Sequence, residues 1–233
     1  MKQNKKPKIS VIMAVYNSKK FLDESIKSIL NQTFKDFEFI IINDGSTDKS
    51  LEIIKKYRNK DKRIKVINNK KNLGRAKSRN RALKIARGKY IAIMDSDDIS
   101  LPRRLEKQYN YLEKNKDVSL LGSNFSTMND KGYVKRKKKV PLSNKKISEV
   151  LKERNCILHS SAMFRNQKKI FYREKFLYSQ DYDLILRFLS ENKKIENLKE
   201  NLIRYRLGNS SLSQIQRGKQ RLFGEKAREF YFQ

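Results

Sequence analysis

The sequence predicts an α/β fold: a central, mostly parallel sheet flanked by helices. Three observations carry this. Apolar runs of strand length alternate with segments of helical period, the runs are too continuously apolar to face water, and polar residues collect at their carboxyl ends. The first strand, KISVIMAVYN at residues 8–17, gives way to KKFLDESIKSILNQ (19–32), where Leu22, Ile26, Ile29 and Leu30 fall at helical spacing. FEFIIIND (37–44) is a second buried strand and SLEIIKKYRN (50–59) a second helix. RIKVINN (63–69) is the third strand, GRAKSRNRALKIARG (74–88) a helix closed by Gly88, and KYIAIM (89–94) the fourth strand.

The second half reads differently. Ser100 is placed to cap a helix running through Leu105, Tyr109 and Leu112, with Pro102 tolerated in its first turn. DVSLLGSNFSTM, a turn at NDKG and YVKRKKK read as a strand pair, with the basic run Lys135–Lys139 on an exposed edge. A helix at NKKISEVLKERN, a short strand SAMFR and an amphipathic helix SQDYDLILRFLSEN, capped by Ser179, follow. IENLKENLIRYRL reads as a strand or hairpin, and GKQRLFGEKAREFYFQ as a basic, aromatic terminal helix. With no internal repeat and no long Pro/Gly-rich linker, the chain reads as one domain with a terminal appendage.

The 233 residues suffice for a substantial core, although 35% are charged and the formal net charge is +31. That balance points to an anionic partner: nucleic acid, an acidic membrane face or a phosphorylated substrate. The single cysteine, Cys156, excludes an intrachain disulfide and reads as a small core residue. The run ISVIMAVY is too short for a signal peptide, and nothing approaches the ~20 apolar residues of a membrane span. A soluble or peripheral protein is expected.

Ligands of open parallel sheets collect beyond the carboxyl ends of the strands. There this chain places Tyr16 and Asn17, then Asn43, Asp44 and Gly45, then Asn68, Asn69 and the loop to Gly74, and finally Asp95, Ser96, Asp97 and Asp98. Three carboxylates within four residues repel unless a cation neutralises them, and a hard divalent ion, Mn²⁺ or Mg²⁺, suits such oxygen ligands. The competing reading is simple capping of the helix near Ser100. Asp44 precedes a tight turn at Gly45, with Ser46 or Thr47 capping the next helix. It is either an acceptor for a base or ribose or an ordinary Asp-Gly turn. Arg75, at the strand-to-helix loop, suits a phosphate, whereas Lys77 and Arg81 read as a solvated face.

Taken together, SVIMAVYN (10–17), IIINDGSTD (40–48), NLGRAKSRN (72–80), IAIMDSDD (91–98), SQDYDLILR (179–187) and YRLGNSSLS (205–213) resemble the family 2 glycosyltransferases, inverting enzymes of the GT-A fold. The resemblance implies a catalytic unit over 1–213, with a nucleotide-sugar half at 8–115, a smaller mixed acceptor half at 116–213, and a tail at 214–233. It implies that Ala14, Val15, Tyr16 and Asn17 receive the base and ribose, that Asp44 bonds the base (often uracil), and that Arg75 meets the base or phosphate. The DSDD group is similar to the family's DXD motif, so Asp95, Asp97 and Asp98, with Ser96 among them, would hold the metal and ribose. Asp181 matches the catalytic base, with Gln180 where the family often has Glu. Arg206 would meet the diphosphate, and Gly208 stands where a His is common. His159 is either structural or part of the acceptor pocket.

The implied activity is metal-dependent inverting transfer from a nucleoside-diphosphate sugar, UDP-linked, to a hydroxyl acceptor in cell-surface glycan synthesis. The cofactors are then Mn²⁺ or Mg²⁺ and the nucleotide-sugar. The partners are a glycan or lipid-linked acceptor and an anionic membrane surface, with no specific nucleic acid. The location is cytoplasmic, peripheral at the inner membrane face. The terminal aromatics Phe223, Phe230, Tyr231 and Phe232 would either assist there or pack on the domain. Three alternatives compete. An aspartyl phosphotransferase or phosphatase lacks a matching downstream Lys and acidic pair. A sugar nucleotidyltransferase should show a Gly-rich loop that AVYNSKK lacks. A basic nucleic-acid or membrane-surface module leaves DSDD unexplained.

Overall fold

Four parallel strands form the first half of the sheet in the computed structural model, which describes residues 6–167, 169–208 and 216–232. They are β1 (Ile9–Val15), β2 (Phe37–Asn43), β3 (Ile64–Asn68) and β4 (Tyr90–Asp95), side by side in the order β3-β2-β1-β4. Helices α1 (Leu22–Leu30), α2 (Ser50–Lys60) and α3 (Arg75–Ile85) make the crossovers. Residues alternate between two faces, as strand geometry requires. Val11, Met13, Phe39 and Ile41 pack with Leu22 and Ile26 of α1 and Ile54 of α2. Ile12, Ile40, Ile42, Ile91 and Ile93 pack on the other face with Ala76 and Ala82 of α3. The register sets Ala14 level with Ile42 and Asp95, and Asn43 level with Asn68. This alignment brings the polar strand ends to one edge.

The remaining strands give the mixed half. Strand β8 (Met163–Arg165) runs antiparallel to both β4 and β6 (Val118–Met128), and β9 (Lys194–Arg206) runs parallel to β6. The segment expected as strand or hairpin is thus a single 13-residue strand. Strand β7 (Val134–Lys138) pairs with β6 as the expected hairpin, while α4 (Arg104–Lys114), α5 (Asn144–Leu151) and α6 (Gln180–Ser190) cover the faces.

Three expected caps are not caps. Ser100 lies in a two-residue strand, β5 (Ile99–Ser100), paired to β9, and Pro102 sits in the turn before α4. Its hydroxyl accepts from Gln32, so a tertiary contact replaces the local one. Ser46 and Thr47 are drawn to Asn17, and Asp48 instead accepts the Ser50 amide at the start of α2. Ser179 precedes α6 with φ of 53° and no capping bond; its hydroxyl donates to the Gln220 carbonyl at 2.8 Å. That bond ties down the terminal helix α7 (Arg217–Phe232), whose Ala227 is fully buried and whose Tyr231 hydroxyl donates to Asp183 at 3.2 Å. Phe223 stacks near Tyr178, whereas Phe230 and Phe232 are exposed. In the YRLGNSSLS motif, residues 209–213 lie outside the described residues.

Candidate active site

The aligned strand ends open into a cavity of about 1070 Å³. Ala14, Val15, Tyr16 and Asn17 line it where β1 stops. Asn17 takes the left-handed conformation, φ 47°, that Asn tolerates best among side-chain-bearing residues. Its amide donates to Ser46 Oγ at 3.1 Å and its Oδ1 accepts the Thr47 amide at 2.8 Å, so the loops after β1 and β2 are laced together. Asp44 is 2% exposed. Its Oδ1 accepts from Asn69 Nδ2 and the Leu73 amide, both at 2.8 Å, which leaves Oδ2 without a hydrogen-bond partner among the described residues.

The acidic group divides by environment. Asp95 Oδ1 accepts from Arg79 Nη2 at 2.9 Å, with His159 Nδ1 3.7 Å away. Burial opposes the Asp95 charge, yet His159, Arg79 and Arg75 hold the carboxyl well below the usual range. Ser96 and Asp97 line the cavity, the former bonded to Ser18 Oγ at 2.7 Å. The Asp97 carboxylate accepts from no side chain among the described residues, and burial followed by the Asp95 charge pushes it up to about 6. Asp98 corrects the expected ligand set. It is fully buried and does not line the cavity. One of its oxygens accepts from Ser160 and the other from the Arg206 amide at 2.9 Å. Burial, then Asp97 and Asp95, raise it well above the ordinary value. Asp98 is thus turned into the protein, away from Asp95 and Asp97, which line the cavity.

Arg75 stands in the cavity at the start of α3 and makes no hydrogen bond or ion pair among the described residues. Burial, and then Arg79, lower its pKa, while Asp95, Asp181 and Asp97 pull the other way. Asp181, in the first turn of α6, also lines the cavity, and its Oδ2 accepts from Asn155 Nδ2 at 2.8 Å. Gln180 receives a bond from Arg79 at 3.4 Å, so Arg79 bridges the acidic group to α6. Sequence reasoning missed Arg79. Its signal was the four-residue spacing from Arg75, which places both guanidinia on one helical face. His159 lines the cavity and meets the Tyr172 hydroxyl at 2.9 Å; Cys156 also lines it, its thiol pushed up to about 11 by burial.

Arg206 lines the cavity but has little left for a diphosphate. Its side chain donates to the carbonyls of Asp97 (2.8 Å), Asn129 (3.0 Å) and Asp130 (3.1 Å) and to Glu24 (2.6 Å). Gly208 faces Asp130: a Cβ there would lie 2.8 Å from Oδ2 and closer still to Oδ1. Asp130 occupies the room a larger side chain would need.

Strand order, cavity and residues together define a glycosyltransferase of the GT-A fold, and residues 10–173 match the family model described as Glycosyl transferase family 2. The chain belongs to that family. It is 46% identical over 221 residues to an uncharacterised glycosyltransferase of Methanocaldococcus jannaschii, covering 92% of this chain and 76% of that one. It is 40% identical over 211 residues to the O-antigen biosynthesis glycosyltransferase WbnJ of Escherichia coli, covering 87% and 81%. The S. aureus TarS structure solved with UDP-GlcNAc superposes with a TM-score of 0.71 at 25% identity over 88% of this chain. This chain spans 59% of that solved chain. The phosphotransferase, nucleotidyltransferase and binding-module alternatives are not favoured.

Proposed function

We propose that the cavity binds a UDP-linked sugar and transfers the sugar, with inversion, to a hydroxyl acceptor during cell-surface polysaccharide synthesis. One observation carries this: Asp44, Arg75, Asp97 and Asp181, from four separate segments, open onto one cavity. The UDP-GlcNAc complex of TarS and the O-antigen role in the name of WbnJ support the donor and the pathway class.

Asp44, its Oδ1 held by Asn69 and Leu73, offers Oδ2 to an N–H of the base. Arg75 supplies positive charge to the diphosphate, aided by the start of α3. Among the described residues no cluster of three His, Cys, Asp or Glu side chains forms a complete metal cage. Mg²⁺-type sites often use only one or two carboxylates completed by substrate phosphates, and Asp97, half-buried and without a side-chain donor, fits that pattern. Asp97 with the second oxygen of Asp95 would hold Mn²⁺ or Mg²⁺, which supplies Lewis-acid stabilisation to the departing diphosphate. Asp181, oriented by Asn155, takes the proton of the acceptor hydroxyl as that oxygen bonds the anomeric carbon. The bond from that carbon to the diphosphate oxygen breaks on the opposite side, which inverts the centre. The net charge of +31 accords with a position at an anionic membrane face, where a lipid-linked acceptor resides. No helix among the described residues is long and apolar enough to cross a membrane.

Asp181→Asn is expected to lower transfer by about 10²–10⁴-fold while keeping the thermal shift given by UDP with Mn²⁺. Asp97→Ala should remove the metal dependence of that shift. Equal loss of nucleotide binding in Asp181→Asn would overturn the base assignment, and no UDP shift in the unsubstituted protein would overturn the donor.

A further inference from the structure

Residues 131–139, KGYVKRKKK, carry six basic side chains and no acidic one. Every residue of β7 is exposed. Some surface cations elsewhere are paired, as in Lys107–Glu200, Lys194–Asp117 and Lys89–Glu113. Among the described residues, Lys131, Lys135, Arg136, Lys137, Lys138 and Lys139 form no ion pair. At the head of this run Tyr133 is 69% exposed and Val134 49%.

The turn that presents them is held from below. Asn129 Oδ1 accepts the amides of Lys131 (3.1 Å) and Tyr133 (3.0 Å), and Gly132 supplies a φ of 83°. The buried Arg206 guanidinium grips the carbonyls of Asn129 and Asp130. The hairpin also borders the cavity: Phe125 and Asp130 line it, and Phe125 is paired in register with Lys138.

Protection of a sheet edge against pairing is the simplest account of lysines on an outer strand, and one or two serve that purpose. Five consecutive basic residues, Lys135–Lys139, exceed it, and a protective edge does not need an exposed tyrosine and valine at its tip. Successive strand residues point to opposite faces, so the run clothes both sides of the ribbon with charge. A broad anionic surface with an apolar interior matches this: lysines meet phosphates while a tyrosine and an aliphatic side chain enter the interface.

We infer that the β6–β7 hairpin docks on an anionic bilayer, with the six cations on headgroup phosphates and Tyr133 and Val134 in the interface, holding the cavity mouth at the membrane. This rests on the membrane part of the proposed function and adds the surface that makes the contact; it is independent of the cavity's chemistry.

The test is flotation with vesicles of equal parts phosphatidylglycerol and phosphatidylcholine, against phosphatidylcholine alone, at physiological ionic strength. The triple variant Lys135→Gln, Lys137→Gln, Lys138→Gln is compared with Lys55→Gln, Lys56→Gln, Lys60→Gln on α2, whose side chains are also exposed. Both remove the same charge. Binding should fall roughly fivefold for each hairpin lysine removed and change little in the α2 triple. Equal loss in both triples would overturn the inference while leaving membrane attachment standing. No binding of the unsubstituted chain to anionic vesicles would overturn both, leaving the UDP thermal shift as the separate measure of the donor. The chain has no tryptophan, so Tyr133→Trp places a single reporter at the tip. Its emission should shift to the blue on vesicle binding, and an unshifted emission from bound protein would overturn insertion. Binding to duplex DNA but not to vesicles would overturn the inference in favour of nucleic acid.

Discussion

At Gly88 the chain runs against the backbone of β1: an added Cβ would lie 2.6 Å from the Ile9 carbonyl carbon and closer to the Ser10 nitrogen. Backbone inside a sheet cannot step aside. At Gly208 the obstacle is only the end of the Asp130 side chain, which can turn away at the cost of its Lys20 contact. Gly88→Ala is therefore expected to cost about 3 kcal/mol or more, and Gly208→Ala about 1 kcal/mol with loss of the 3.2 Å contact between Lys20 and Asp130. Urea denaturation of both variants checks the order. Of the residues expected at the site, Asp44, Arg75, Asp97 and Asp181 all line the cavity, the first and third near strand ends and the other two at helix starts. The direction of each side chain was not legible in the sequence. Asp98 and Arg206 satisfy each other's neighbourhood across a sequence separation of 108 residues, which local pattern cannot reveal.

Helix identities followed from periodicity, because burial of one face leaves a helical period, and the strands of the first half from continuous apolar runs, because both their faces are buried. Boundaries held less well, since Ser46, Ser100 and Ser179 all had distant partners that outcompeted local capping. Ser179 is informative: its φ of 53° favours glycine, while its hydroxyl anchors α7 through Gln220. Ser179→Ala loses the anchor and keeps the strain, whereas Ser179→Gly loses the anchor and relieves it. Both variants should speed amide hydrogen exchange in α7, with Ser179→Ala less stable than Ser179→Gly by about 1 kcal/mol.

For the molecule as a whole, Glu38 joins several elements. It accepts from Ser10 of β1 at 2.6 Å and from the Arg87 amide beyond α3 at 2.7 Å, and pairs with Lys65 of β3 at 2.6 Å. Burial opposes its charge, but Lys65, Ser10 and Arg87 outweigh that and lower its pKa from 4.5. A carboxylate lowered on folding stabilises fully above its unfolded pKa, and that contribution is lost as pH falls through the folded value. Glu38→Gln should thus cost about 2 kcal/mol at neutral pH, with its stability curve meeting that of the unsubstituted protein in acid. Urea midpoints across pH measure this. Long-range ties of this kind were the least legible part of the chain, because they join segments with no shared local pattern.

Arg206 has a temporal consequence. The acidic loop at residues 95–98 is made early in synthesis, yet the guanidinium that fastens Asp97, the turn at 129–130 and Glu24 arrives more than a hundred residues later. A nascent chain that has emerged only through α4 holds the four parallel strands without the clasp that fixes their chemical edge. The contacts that fasten that edge therefore form only once β9 has been made.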